Sequence, residues 1–249
     1  MANAHLPIPN LFLAALPEDA LNRLRPHLEV MEMPLRKILF EMGQPMPHLY
    51  FPDSGMISLL IPLEDGALLE VGVVGKEGFA GLAALLGAET AVHTSMVQLP
   101  GTGARIKTDI VRQEMQRSPA LLSQVLRYAQ ALHVQVSQTA VCNVHHTLQE
   151  RLARWLLMAH DRAASDTLAL TQEFLSMMLG VRRPGVTVAA TILQQTGAIF
   201  YTRGRISVLD RTRLEAASCE CYGMVKEQLD QLLGSTQVLH GAGAPPEGP

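Results

Sequence analysis

From Ala120 to His160 the chain runs without a glycine or a proline, and no other stretch limits its fold as much. Proline removes a backbone donor and glycine costs the most chain entropy, so a run free of both is expected to be helical. Leu122, Val125, Ala129, Leu132, Val136, Thr139 and Asn143 recur there at steps of three and four, the period of a coiled-coil seam. Such a seam is a dimer axis or a face packed on the chain's own β domain. The polar Thr139 and Asn143 at its far end favour the dimer axis. A second helix, from about Thr147 to Asp161, carries Leu148, Leu152, Trp155, Leu156 and Ala159 on one side, which is expected to be core.

The helical run separates two unlike halves. Between about Val30 and Lys107 short apolar runs ("KILF", "HLYFP", "GMISLLIP", "ALLEVGVVG", "TSMVQLPG") alternate with Gly, Pro and Asp, the pattern of a sandwich or barrel-like β structure. "PEDALNRLRPHL" before it has the spacing of a short helix. With 48% hydrophobic but only 4% aromatic residues in 249, the core must be mostly Leu, Val, Ala and Met. Three cysteines, Cys142, Cys219 and Cys221, are too few for a disulfide framework and fit a reducing compartment. The opening lacks a secretory pattern, and "LFLAAL" is far shorter than the roughly 20 apolar residues of a membrane span. The expectation is a cytoplasmic protein without a membrane partner.

Charge is unevenly spread. Residues 1–150 hold 10 Lys+Arg against 14 Asp+Glu, residues 151–215 nine Arg against five acids, and residues 216–249 one Lys against four acids. The basic middle section suits a polyanion. It contains "LGVRRPGVTVAATILQQTGAIF", Leu179 to Phe200. Thr171 can cap a helix over "QEFLSMML", which Gly180 ends. Pro184 suits the first turn of a second helix with an apolar face of Val186, Ala189, Ala190 and Leu193. Two helices joined by a tight turn form a helix-turn-helix, whose second helix can read the major groove. Gly197 closes that helix. "AIFYTRGRISVLD" then reads as two strands around Arg203-Gly204-Arg205, a cationic wing.

The segment from Leu168 to about Cys221 resembles the C-terminal DNA-binding domain of the Crp/Fnr family of bacterial transcription regulators. The order of the remaining parts extends the resemblance over the rest of the chain. It implies an α+β fold: an N-terminal cyclic-nucleotide-binding-like β-roll, a long dimerisation helix and a C-terminal winged helix-turn-helix. The expected divisions are 1–118 for the sensory β-roll with flanking helices, 119–163 for the dimerisation helix and hinge region, 164–233 for the DNA-binding domain and 234–249 for a disordered Gly/Pro-rich tail. "ASDT", Ala164 to Thr167, reads as the hinge. The implied partners are a second copy of the chain and double-stranded DNA with a roughly palindromic site. RNA polymerase and an unidentified small effector are further partners the resemblance allows.

The resemblance also assigns roles. Arg183 matches the family's guanine-reading arginine. Pro184 and Val188 stand where a glutamate and a second arginine often occur, which removes the basis for the usual half-site. From their own chemistry Arg182 is expected to be a phosphate clamp or a cap-region contact, Thr187 a base or phosphate contact, and Arg203 and Arg205 a grip on the backbone at the wing. Thr171 and Gly185 complete the expected DNA-binding set, and Leu122, Val125, Ala129, Leu132, Val136, Thr139 and Asn143 the dimer interface.

The effector pocket corresponds to Phe79, Ala80, Gly81, Leu82, His93, Thr94 and Ser95. There "FAGL" puts Gly81 in place of the carboxylate that accepts a ribose hydroxyl, and "ETAVHTS" lacks the arginine that neutralises a cyclic phosphate; neutral His93 is a poor replacement. The implied pocket is degenerate and does not bind cyclic AMP. An iron–sulfur cluster usually takes four thiolates, and this chain has three. Cys219 and Cys221 read as structural or incidental, and the adjacent His145 and His146 point in different directions on a helix. No cofactor or metal is expected, and no catalysis, since a Walker loop, a nucleophile elbow and a His-Glu-x-x-His site are all missing from the sequence. A regulator controlled by its own abundance, a nucleotide-binding module and a protein-interaction module stay open as alternatives.

Overall fold

The computed structural model describes residues 8–233; the 234–249 segment expected to be a disordered tail lies outside the described residues. Two short helices, α1 (Leu11–Ala14) and α2 (Glu18–Leu24), lead into a β-roll. Its strands are β1 (Glu29–Met33), β2 (Ile38–Phe40), β3 (His48–Pro52), β4 (Met56–Pro62), β5 (Leu68–Val74), β6 (Thr94–Leu99) and β7 (Gly101–Lys107), with the one-turn helix α3 (Leu82–Leu85) between β5 and β6. They pair antiparallel in two sheets, β1-β7-β3 and β2-β6-β4-β5. Four of the eleven aromatic residues form one cluster. Phe12, Phe51, Phe79 and Tyr128 meet with ring centroids 4.8–6.1 Å apart, contacts that contribute about 0.5–1.5 kcal/mol each beyond their burial.

Helix α4 (Thr108–Arg117) leads to α5 (Pro119–His145). Ser118 starts α5: its hydroxyl accepts from Leu121 N at 3.2 Å, and Pro119 occupies the first turn. Leu121, Val125 and Tyr128 of α5 enter the β-roll core, and Gln135 Oε1 accepts from Val73 N at 2.6 Å. Ala131 is covered by Val225 and Leu229. The buried side of α5 therefore takes in part of the seam read from the sequence. Val125 is fully buried, Ala129 and Leu132 pack partly on the β-roll core, Thr139 is half-buried, and Leu122, Val136 and Asn143 are exposed. The apolar line left facing outward is Leu122, Leu126, Ala129, Val136, Ala140 and Val144, with Val144 91% exposed. It shares Leu122, Ala129 and Val136 with the expected seam and departs from it on the flank that the β-roll takes, because the period alone does not say which flank that is.

A capping box starts α6 (Leu148–His160): Glu150 N donates to Thr147 Oγ1, and Thr147 N donates to Glu150 Oε2. Every residue from Leu152 to Ala159 is buried, because α6 lies between the two halves. Beyond it come β8 (Thr167–Ala169), α7 (Gln172–Leu179), α8 (Arg183–Gln195), β9 (Ile199–Thr202), β10 (Arg205–Val208), α9 (Arg211–Ala216) and α10 (Cys221–Leu233). The sequence reading has no strand at β8. Its three residues pair with β10 to give a sheet ordered β8-β10-β9, and Thr167 Oγ1 lies 2.9 Å from Ser207 Oγ. Met56, Leu60, Val73 and Leu99 of the β-roll share one hydrophobic core with α6, α7 and α8. Helix α10 packs back along α5. Among the described residues no helix is long and apolar enough to cross a membrane.

Candidate nucleic-acid interface

Thr171 begins α7 by accepting from Phe174 N at 3.2 Å, and Gly180 ends it in the left-handed region at φ 62°. A Cβ on Gly180 would also lie 2.6 Å from Leu69 Cδ1 of β5, so the turn has both a backbone and a packing reason to be glycine. Helix α8 starts at once, with Arg182 as its first cap and Pro184 in its first turn. Val186, Ala189, Ala190 and Leu193 face the core. Arg182, Arg183, Pro184, Thr187 and Val188 face outward, Val188 60% exposed.

Gly185 is half-buried, and a Cβ there would meet Leu148 Cδ2 of α6 at 2.9 Å. The outward face continues past Val188 to Thr191, Ile192 and Gln195. The sequence reading stopped short of these three, although steps of three and four from Val188 lead to them. Thr187 Oγ1 donates to Arg183 O at 3.2 Å and Thr191 Oγ1 to Thr187 O at 2.8 Å. Each hydroxyl thus keeps acceptor lone pairs for an external donor.

The wing is a two-residue hairpin. Arg203 (φ 45°) and Gly204 (φ 77°) both take left-handed backbone, as a type I′ turn requires. A Cβ on Gly204 would sit 3.3 Å from Thr171 Cγ2, which places the tip beside the start of α7. Gln194 Oε1 accepts from Tyr201 N at 2.8 Å and ties the wing to α8. Arg203 and Arg205 are exposed. Among the described residues Arg182, Arg183, Arg203 and Arg205 make no ion pair, a state they share with Arg36, Arg117, Arg127, Arg151 and Arg154, whereas Arg23, Arg105, Arg112, Arg162, Arg211 and Arg213 are all paired.

In the β-roll, Phe79, Ala80, Leu82 and Ser95 are buried in the core. Gly81 is left-handed at φ 103°, and a Cβ there would lie 2.8 Å from Leu49 Cδ2 and 3.3 Å from Phe40 Cζ. Thr94 Oγ1 accepts from Met42 N at 3.1 Å, and His93 Nδ1 lies 3.4 Å from Ser95 Oγ. Burial holds the His93 imidazole below its usual pKa and so favours the neutral form.

Two polar links between the halves went unread in the sequence. Arg162 Nε and Nη2 donate to Glu77 Oε1 at 2.9 and 2.6 Å, both side chains almost wholly buried. This pair fastens the segment before Phe79 to the end of α6, while Tyr128 OH of α5 donates to Phe79 O at 3.0 Å. Trp155 Nε1 of α6 donates to Glu70 Oε1 at 2.7 Å, and Ser58 Oγ lies 2.5 Å from Glu70 Oε2. Desolvation raises the Glu70 carboxyl to about 7. No local motif announces such pairs; they join residues 85 positions apart.

The fold also gathers residues that the sequence reading kept separate. Donor atoms of Cys142, His146, Cys219 and Cys221 all lie within 4.8 Å of one another, the three cysteines buried. Cys142 Sγ is 3.5 Å from Cys219 Sγ, and Cys221 Sγ is 3.6 Å from His146 Nδ1. The mutual contact of Cys142 and Cys219 pulls the Cys219 thiol down and pushes Cys142 up. His145 is exposed and outside the group.

Residues 31–118 match the model of the cyclic nucleotide-binding domain, and residues 150–217 that of the Crp-like helix-turn-helix domain, together more than half of the chain. Among solved structures, FixK2 from Bradyrhizobium japonicum superposes with a TM-score of 0.66 at 15% identity, covering 77% of this chain and 98% of its own. The c-di-GMP responsive global regulator CLP of Xanthomonas campestris gives 0.62 at 19%, covering 78% and 100%. A CRP/FNR-family transcriptional regulator from Thermus thermophilus gives 0.52 at 19%, covering 76% and 98%. No curated protein matches the sequence.

Proposed function

The chain belongs to the Crp/Fnr family of DNA-binding transcription regulators, and on that premise we propose that it acts as a homodimer reading a roughly palindromic site with α8 while its β-roll does not bind cyclic AMP. The observation that carries the DNA-reading part is the grouping of four exposed arginines without ion pairs on one module, Arg182 and Arg183 at the head of α8 and Arg203 and Arg205 at the wing. In a chain of net charge −3, cations left unpaired on one module are available to phosphates and base edges.

Arg183 reads a guanine edge through its fork of donors, a contact that contributes about 1–3 kcal/mol of discrimination. Arg182, Arg203 and Arg205 hold phosphates and fix the register. Val188 and Ile192, in the middle of the outward face, offer apolar contact to a thymine methyl, and Thr187 and Thr191 offer acceptors. Two copies joined along the outward line of α5 would set their recognition helices about 34 Å apart, one turn of the duplex.

Gly81 is the position that speaks against cyclic AMP. A carboxylate side chain there would have to displace Leu49 and Phe40, and no guanidinium lies in 90–98 to meet a cyclic phosphate. Control by an unidentified effector would act through the Glu77–Arg162 and Tyr128–Phe79 links, which join the cassette to both long helices. A gel shift against a pool of random duplexes tests the main reading: a recovered palindrome supports it, and no retention at low salt refutes it. Calorimetry with cyclic AMP tests the second part, where tight stoichiometric heat would overturn it.

A further inference from the structure

We propose that Cys142, His146, Cys219 and Cys221 bind one zinc ion in a closed, tetrahedral Cys3His site that fastens the C-terminal segment to the end of α5. The ligand types and their number are those of a structural zinc site. The spacing agrees as well. With Zn–S about 2.3 Å and Zn–N about 2.0–2.1 Å, the edges of the tetrahedron are about 3.8 Å between sulfurs and about 3.6 Å from sulfur to nitrogen. Two contacts in the cluster match these edges: 3.5 Å between Cys142 Sγ and Cys219 Sγ, and 3.6 Å between Cys221 Sγ and His146 Nδ1. A polynuclear iron–sulfur cluster spreads its four ligands over more than one iron atom, and ligands on different irons lie farther apart than four donors within 4.8 Å permit.

The surroundings fit the same ion. His146 presents Nδ1 to the cluster while its Nε2 lies 3.2 Å from a Glu220 carboxylate oxygen. That carboxylate fixes the tautomer in which Nε2 carries the proton and Nδ1 has a free lone pair, the usual support of a zinc-bound imidazole. Three thiolates and a neutral imidazole on a dication carry a net charge of −1. Arg154, itself buried, lines the same cavity as Cys142, a cation that offsets that charge. Binding replaces three S–H protons with one zinc ion, and the protons leave to solvent.

The site has a mechanical consequence. Cys142 and His146 belong to the last turn of α5 and its cap, one residue before the capping box of α6, while Cys219 and Cys221 bracket the start of α10. A bound ion would close a loop between positions 77 residues apart, hold α10 along α5 and stiffen the α5–α6 corner. In the unfolded chain the four donors are dispersed, so the binding free energy becomes folding free energy.

The test uses the full chain purified under reducing conditions without chelator. Elemental analysis should give about one zinc per chain, and exchange with cobalt(II) should give the intense visible bands of a tetrahedral ion with a near-ultraviolet thiolate charge-transfer band. Cys219→Ser should lose the metal. If that variant fails to fold, Glu220→Gln decides: Glu220 is exposed, so the fold should survive, and zinc affinity should fall about 10–100-fold. Less than a tenth of an equivalent after reconstitution with zinc would overturn the proposal. So would an octahedral cobalt spectrum, a Cys142–Cys219 disulfide that excludes metal, or affinity unchanged in Glu220→Gln.

Discussion

Replacing Glu70 by glutamine should stabilise the protein above neutral pH. Glu70 is buried between β5 and α6, and desolvation raises its carboxyl from the usual 4.5 to about 7. Between those two values the folded chain holds a proton that the unfolded chain has lost. Stability therefore falls as pH rises through the window from about 4.5 to 7, and this contribution is flat above it. At about 1.4 kcal/mol for each tenfold change in proton affinity, the loss is on the order of 3 kcal/mol. The amide is the uncharged isostere. Its nitrogen can donate to Ser58 Oγ, which can then donate to Gln98 Oε1, and its oxygen can still accept from Trp155 Nε1. Thermal melts of the native chain and Glu70→Gln at matched ionic strength should diverge as pH rises from 5 to 8. At pH 8 the variant should melt roughly 6–12 °C higher, at 2–4 °C per kcal/mol for a chain of this size. A variant that melts lower at pH 8, with the native pH slope intact, would show that Glu70 is ionised in the fold and held by Arg154 and Arg162.

Four further outcomes follow from the same structure. Glu77→Ala leaves the buried Arg162 guanidinium unpaired and should cost about 3–5 kcal/mol, whereas Glu77→Leu with Arg162→Met should recover most of that loss in denaturant melts. Arg203→Asn relieves a left-handed arginine at the wing tip; it should raise stability by about 1 kcal/mol while lowering DNA affinity and flattening its salt slope by about one. Leu126→Asp, on the outward line of α5, should shift sedimentation equilibrium toward monomer with an unchanged circular dichroism spectrum. Arg183→Ala should cost about 1–3 kcal/mol on a selected site and much less on random DNA; equal losses on both in a salt titration would contradict base reading.

Punctuation residues made the winged module legible. Thr171, Gly180, Pro184, Gly197 and Gly204 each impose a local backbone state, and each marks a boundary where the structure has one. The long helix was legible for the opposite reason, the lack of any such residue. What one periodic stripe could not reveal was its partner. Val125 belongs to the β-roll core and Ala131 lies beneath α10, and both depend on elements far away in the chain. Strand β8 is three residues long and has no period to detect. The Glu77–Arg162 and Glu70–Trp155 pairs and the Cys142–Cys219 contact join residues 77 or 85 positions apart. The sequence supplies their chemistry; only the fold supplies their proximity.

The central claim is that α8 and the wing, carried by two copies of this chain, read DNA. Hydroxyl-radical footprinting of the full-length protein on a site recovered from random duplexes tests it most directly. The account predicts two protected patches related by a dyad, centred one helical turn (about 34 Å) apart, both lost when Arg182, Arg183, Arg203 and Arg205 are replaced together by alanine. A single patch, even protection along the duplex, or a footprint that survives the four substitutions would contradict it.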